Sequence, residues 1–348
     1  MKKPDLSLLT FGGGSLPHDD PETACRLVAE TLDIPTWPQL PNRTYLENMY
    51  IQFSERFPGV ILANERIYVD REQDLDPQLE QLYIAYLAND LDYGRISPEY
   101  AAGLYRFLEG DLLIPARGGF GSRPAAVKGQ LTGPVSWGLT VVDQDRRPVL
   151  YDDVLAEALA KHLRLKAAWM ESRLIKLAPT TLVFIDEPYL SSFGSAYISL
   201  SKEQALALIE EVLAGIQGIK GLHCCGNTDW SLLLSASIDV LSFDAYEFAE
   251  TLALYPDAVR AFLERGGVLA WGIVPAGERV NDETVASLVE AFERALRLLE
   301  DKGLNHDDLL QAAMITPSCG LGALPVETAE RVLRLTSELA KVLRERYG

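Results

Sequence analysis

Three soft side chains carry the most chemistry in this sequence. In Gly221-Leu222-His223-Cys224-Cys225-Gly226-Asn227 a short apolar run ends on a histidine and a cysteine two residues apart. Alternation along a strand turns His223 and Cys225 to one face and Cys224 to the other, so an imidazole and a thiolate stand side by side. That pair is half of a zinc site. A third thiol, Cys319, closes another apolar run in Thr316-Pro317-Ser318-Cys319-Gly320-Leu321. A carboxylate from Ser242-Phe243-Asp244-Ala245-Tyr246-Glu247, Asp244 before Glu247, is a candidate fourth ligand, and an optional one, because catalytic zinc often keeps an exchangeable position. Two thiolate ligands weaken the metal as an activator of water. A thiol substrate that joins them loses its proton and stays nucleophilic, so alkyl transfer to sulfur follows more naturally than hydrolysis.

Other polar residues close apolar runs as well. Phe184-Ile185-Asp186-Glu187-Pro188 places two carboxylates before a proline that ends the strand. Asp186 and Glu187 are the candidate catalytic carboxylates, either able to hold a cationic group such as an α-amine. Thr132 precedes the break Gly133-Pro134, and Ser15 lies in Gly14-Ser15-Leu16-Pro17, where backbone amides and a hydroxyl can take a carboxylate. With Asn227 these are the candidate substrate contacts. Cys25, Cys224, His162 and His306 have no such company and read as packing or surface residues.

The elements that must position these groups are strands and helices in alternation. Short apolar runs at 7–11, 60–63, 127–131, 182–185, 219–223, 240–243, 268–272 and 313–316 are the strand candidates. Helical periodicity covers 154–177, 202–215, 257–264, 282–302 and 326–347, with Ser201, Asn281 and Pro325 at the starts and Gly303 at a stop. Eight strand-then-helix repeats predict an α/β fold, a single (β/α)8 TIM barrel over 1–348, with an insertion after the second strand at about 65–120 that contains its own helix at 76–87. A doubly wound open sheet is the other architecture, but no Gly-x-Gly-x-x-Gly opens a helix here. Barrel active sites are built at the carboxyl ends of strands, which is where the candidate residues fall.

With 32 basic against 50 acidic residues the net charge is -18, which argues against nucleic acid as a partner. No stretch is apolar enough for a membrane span, the amino terminus does not read as a signal peptide, and four scattered cysteines make a poor disulfide framework. The expected location is a reducing cytoplasm.

Taken together, Gly14-Ser15-Leu16-Pro17, Lys128-Gly129-Gln130-Leu131-Thr132-Gly133-Pro134-Val135, Ile185-Asp186-Glu187-Pro188, His223-Cys224-Cys225 and Pro317-Ser318-Cys319-Gly320-Leu321 resemble the catalytic barrel of cobalamin-independent methionine synthase. The likeness runs from about residue 8 to the carboxyl end. It implies Zn2+-dependent methyl transfer to a small-molecule thiol, homocysteine in the family, from a folate or corrinoid donor. It implies zinc ligands at His223, Cys225 and Cys319, Asp244 at the position of the family's ligating glutamate, Asp186 on the amino group and Ser15 on the carboxylate. The strings are also similar to those of methyltransferases that pass methyl groups between corrinoid proteins and thiols such as coenzyme M. This sequence departs from the family in having Asn42 and Arg43 before Glu47-Asn48-Met49, and in placing Trp137 several positions before the family's pterin-stacking tryptophan. The competing expectations are a metal-free uroporphyrinogen decarboxylase-like enzyme, with Arg43, Arg117 and Arg123 receiving propionates, and a non-catalytic corrinoid or amino-acid binder.

Overall fold

The computed structural model describes residues 5–113, 124–193 and 199–348. Its strands in chain order are β1 (Val60–Ala63), β2 (Arg66–Val69), β3 (Ala126–Thr132), β4 (Val142–Asp143), β5 (Thr180–Asp186), β6 (Ile219–Cys224), β7 (Val240–Phe243), β8 (Val268–Val274) and β9 (Ala313–Pro317). Six of them form one parallel sheet in the order β3-β5-β6-β7-β8-β9. Nearly every residue of these strands is buried, as the continuous apolar runs demand of a sheet covered on both faces.

Two further segments continue the curl of the sheet without becoming regular strands. Thr10 bridges Ile315 of β9, Thr36 bridges Lys128 of β3, and Ile34 N donates to Thr10 O at 2.9 Å. Inside the curve sits a compact apolar cluster that includes Phe11, Ile34, Leu182, Phe184, Val240, Ala270 and Met314. A much larger core fills the space between the sheet and the helices outside it.

The helices follow their periodicity. Ser201 caps Lys202–Leu213 in a reciprocal arrangement with Gln204, and the apolar stripe of Val326–Tyr347 packs inward over its whole length. One start moves: the helix expected from Asn281 begins at Val285, capped by Thr284, because Glu278–Asp282 first makes a 3-10 turn. Among the described residues no helix is long and apolar enough to cross a membrane.

The first two expected strands need correction. The run at 7–11 supplies one bridge, at Thr10, and no regular strand. Residues 60–63 do form a strand, β1, but it turns back on β2 through the two-residue loop Asn64-Glu65, both residues at positive φ (51° and 59°). That hairpin joins β4 in a separate three-stranded sheet. The place beside β3 belongs to the segment around Thr36 instead. The excursion between Thr36 and β3 therefore contains the hairpin together with the helices Asp76–Ala88 and Ala102–Leu108, and does not begin at 65. Part of the expected insertion lies outside the described residues, as do Arg117 and Arg123.

His162 is a packing residue in the long helix Asp153–Leu174, 1% exposed, edge-on to Phe57, with Nε2 on Phe53 O at 2.8 Å. Burial pulls its pKa from 6.5 down to about 3, with Lys166 adding to the effect. The folded chain thus binds a proton here less readily than the unfolded one. The contribution of His162 to stability is whole above pH 6.5 and is lost as pH falls toward 3. In urea titrations across that window, His162→Gln is expected to flatten the dependence of stability on pH by up to ~1.4 kcal/mol per pH unit, one proton's worth. Identical slopes in the two proteins would exclude His162 as an acid-sensitive group.

Candidate metal centre

The sheet register sets the site. Thr132, Asp186, His223 and Ser242 are successive partners across β3, β5, β6 and β7, so the four side chains form one row at the carboxyl ends of the strands. Cys225 is the first residue past β6. Cys319 stands two residues past β9, on the other side of β7 and β8. The curl of the sheet brings the two strand ends together: one ligand atom from each of His223, Cys225 and Cys319 lies within 4.8 Å of the others.

Cys319 is held there by its own loop. Ser318 N donates to Val274 O at 2.9 Å, and Ser318 Oγ accepts from Ala276 N at 3.0 Å. On the other side Leu321 N donates to Ser15 O at 2.9 Å and Gly322 N to Ser15 Oγ at 3.2 Å. A Cβ on Gly320 would sit 2.4 Å from Ser15 Oγ, so this close approach needs the glycine.

The imidazole is prepared for a metal. His223 Nδ1 pairs with Ser242 Oγ at 3.0 Å, while Nε2 is shielded from solvent with no hydrogen-bond partner. A buried nitrogen without a partner is costly, and a ring held through Nδ1 offers Nε2 as a ligand. The thiols share the electrostatics of a single proton. The hydrogen bond with Cys319 holds Cys225 below the usual thiol range, and the same bond, reinforced by burial, pushes Cys319 up. Burial works against a charged His223, but the nearby Cys319 thiol and Asp186 carboxylate outweigh that and raise its pKa. Tetrahedral zinc at ~2.3 Å from sulfur and ~2.0 Å from nitrogen sets its ligand atoms roughly 3.5–3.8 Å apart, so the observed spread needs only a small contraction. One nitrogen and two sulfurs, one of them already inclined to lose its proton, suit that ion.

Asp244 falls outside the cluster. Its carboxylate caps the helix Ala245–Leu252, Oδ1 accepting from Glu247 N at 3.0 Å, and burial raises its pKa to about 6. Glu247 is paired with Arg279. The expected fourth ligand is therefore engaged in capping the next helix.

Glu187 also departs from expectation. It is wholly buried, Oε1 accepting from Val135 N at 2.9 Å and Oε2 from Ser136 N at 2.7 Å and Ser136 Oγ at 2.5 Å. These donors belong to the first turn of the helix Pro134–Thr140, so the carboxylate is a buried cap. Gly133 makes room for it, since a Cβ there would lie 2.2 Å from Oε1. Burial pushes Glu187 up to about 7 despite the three donors.

Asp186 remains in the row beside His223, its carboxyl raised by burial and lowered again by Lys128 and His223. Thr132 donates Oγ1 to Met49 O at 2.7 Å, which leaves it only acceptor capacity. Asn227 is exposed on the rim, two residues beyond Cys225. Trp137 is fully buried, with Nε1 on Tyr50 O at 2.7 Å, and presents no open face for stacking. Arg43 pairs with Glu47 at 3.1 Å. Cys25 and Cys224 are buried thiols, each pushed up to about 12 by burial, in keeping with packing roles.

Sequence reasoning missed two members of the site. Ser242 orients His223, and its signal was a small hydroxyl amid the apolar run of β7. Lys128 lies under the row, 1% exposed, its ammonium on Gln130 Oε1 at 3.2 Å and Gly13 O at 3.3 Å and over the Phe184 ring at 4.8 Å. Burial lowers its pKa to about 8, countered by Asp186. A lysine inside a strand buried end to end was the available clue.

Fold and site together define a parallel α/β protein with a His/Cys/Cys cluster that could hold a metal ion at the carboxyl edge of its sheet. No known family profile and no curated protein matches the chain. Solved structures do. A methyltransferase from Methanosarcina mazei superposes with a TM-score of 0.54 at 15% identity, over 97% of this chain and 94% of its own. A Listeria monocytogenes protein provisionally assigned as a vitamin-B12-independent methionine synthase gives 0.55 at 14% identity, over 93% and 86%. A B12-independent methionine synthase from Shewanella sp. W3-18-1, in complex with selenomethionine, aligns over 64% of this chain and 63% of its own at 20% identity, with a TM-score of 0.47. At these identities what is shared is the fold.

Proposed function

We propose that this chain is a zinc-dependent S-methyltransferase acting on a small thiol, homocysteine first, with a methylcorrinoid or methyltetrahydrofolate as donor. The observation that carries the reading is the unpartnered Nε2 of His223, held by Ser242 and faced by two thiols. The fold shared with the M. mazei and L. monocytogenes proteins supports it. We read the bridges at Thr10 and Thr36 as the first two members of a closed eight-membered barrel, and the chain as one cytoplasmic catalytic domain.

His223, Cys225 and Cys319 would hold the ion. Bound there, zinc supplies the Lewis acidity that keeps an incoming thiol deprotonated at neutral pH. The remaining residues position the acceptor. Asp186, set between Lys128 and His223, is the anion that takes the α-amine. Ser15, whose oxygen already accepts from Gly322 N, keeps its own proton to donate to the α-carboxylate. Thr132 and Asn227 border the same space as acceptor and rim contact, while Glu187 holds the helix behind it.

The test is a parallel assay of the zinc-loaded protein with homocysteine or coenzyme M as acceptor and methylcobalamin or methyltetrahydrofolate as donor. The expected product is methionine, formed in proportion to bound zinc. Protein that carries zinc yet methylates neither thiol from either donor would overturn the proposal.

A further inference from the structure

We propose that the protein binds a phosphate-bearing small molecule in a second cavity, bordered by Arg56, Arg95, Arg173, Tyr105 and Trp169. The cavity measures about 530 Å³ and shares no residue with the strand ends that carry the thiols. It has room for more than an inorganic anion, since small-molecule sites run from ~300 to ~1,000 Å³.

Charge singles it out. In a chain of net charge -18, arginines are mostly paired, as Arg106 is with Glu22 and Asp111 and Arg344 with Asp33. Around this cavity three guanidiniums converge, and among the described residues Arg56 and Arg95 form no ion pair. Arg173 has only the exposed Asp92, at 3.7 Å. The other carboxylate nearby, Glu55, is committed to the backbone and hydroxyl of Ser97. Lys166 lies buried beneath, its Nζ on Arg95 O at 2.9 Å.

The groups are also held in place. Arg56 Nη1 donates to Asp92 O at 2.8 Å, from a backbone in the left-handed region at φ 69°. Arg173 lies over the Trp169 ring, 5.3 Å from its centroid. Trp169 itself is 2% exposed, and its indole N–H has no acceptor. Two guanidiniums free of ion pairs and a third with one long contact, gathered round one cavity, call for an oxyanion, and guanidinium forks match phosphate oxygens two at a time.

Calorimetric titration with pyrophosphate and with inorganic phosphate tests this, with citrate as the carboxylate control. Pyrophosphate is expected to bind at submillimolar concentration, more tightly than citrate and more weakly as salt rises. Arg95→Gln/Arg173→Gln is expected to lose affinity about tenfold or more. Cys319→Ser is expected to bind as the wild type does, which separates this site from the thiols and from any zinc they hold. If the double variant fails to fold, Arg95→Lys, a point charge in place of a fork, is expected to weaken binding measurably. Titrations with a nucleoside monophosphate and a sugar phosphate distinguish the two sources of the phosphate, either one binding above inorganic phosphate in support. No binding of phosphate or pyrophosphate at millimolar concentration overturns the proposal. So do unchanged affinity in the arginine variants, citrate binding as tightly as pyrophosphate, or loss of binding in Cys319→Ser.

Discussion

Replacing Cys319 by serine is expected to remove zinc from the protein and methyl transfer with it. Of the three proposed ligands, Cys319 is the one delivered from a distant strand, so His223 and Cys225 alone would not enclose an ion. Binding energy for zinc at such sites is large and spread over few ligands. Losing one thiolate should cost on the order of 10³-fold in affinity, and dialysed protein should fall from about one zinc per chain to a small fraction of that. Ser242→Ala should behave differently, retaining all three ligands but freeing the ring, with affinity lower by ~10–100-fold. Mass spectrometric metal analysis against a graded chelator series reads both. Full zinc in Cys319→Ser would refute the ligand set whatever the activity.

Truncating Glu187 to alanine is expected to destabilise the fold by about 3–5 kcal/mol, since it strands three buried donors of the Pro134–Thr140 helix at once and opens a hole against Gly133. The midpoint of chemical denaturation measures this directly. Any loss of activity should follow the loss of folded protein. A variant that kept wild-type stability while turnover collapsed would return Glu187 to the catalytic role first expected of it.

The helices were legible because a stripe repeated over many residues is hard to mimic, and 326–347 coincides with its helix to the residue. His223 and Cys225 were legible because side-chain alternation on a strand is local, and Cys319 because it too follows an apolar run. What failed had no local signature. An apolar, β-branched run such as 60–63 reads the same in a hairpin as in a central strand, and only the half-exposed faces of β1 tell them apart. The true neighbour of β3, Ile34-Pro35-Thr36-Trp37-Pro38, carries two prolines and does not look like a strand at all. Asp244 and Glu187 share one ambiguity: a carboxylate at a strand end can face the ligand space or cap the helix that follows, as both do here, and the choice depends on tertiary packing. Ser242 and Lys128 needed cross-strand register to be noticed.

The loop that carries Cys319 is braced by Ser15, 307 residues earlier in the sequence than its partner Gly322. His223 and Cys225 are neighbours in the chain, whereas Cys319 joins them only once its loop has docked on the segment of Ser15, so any ion held by all three would be enclosed after that docking.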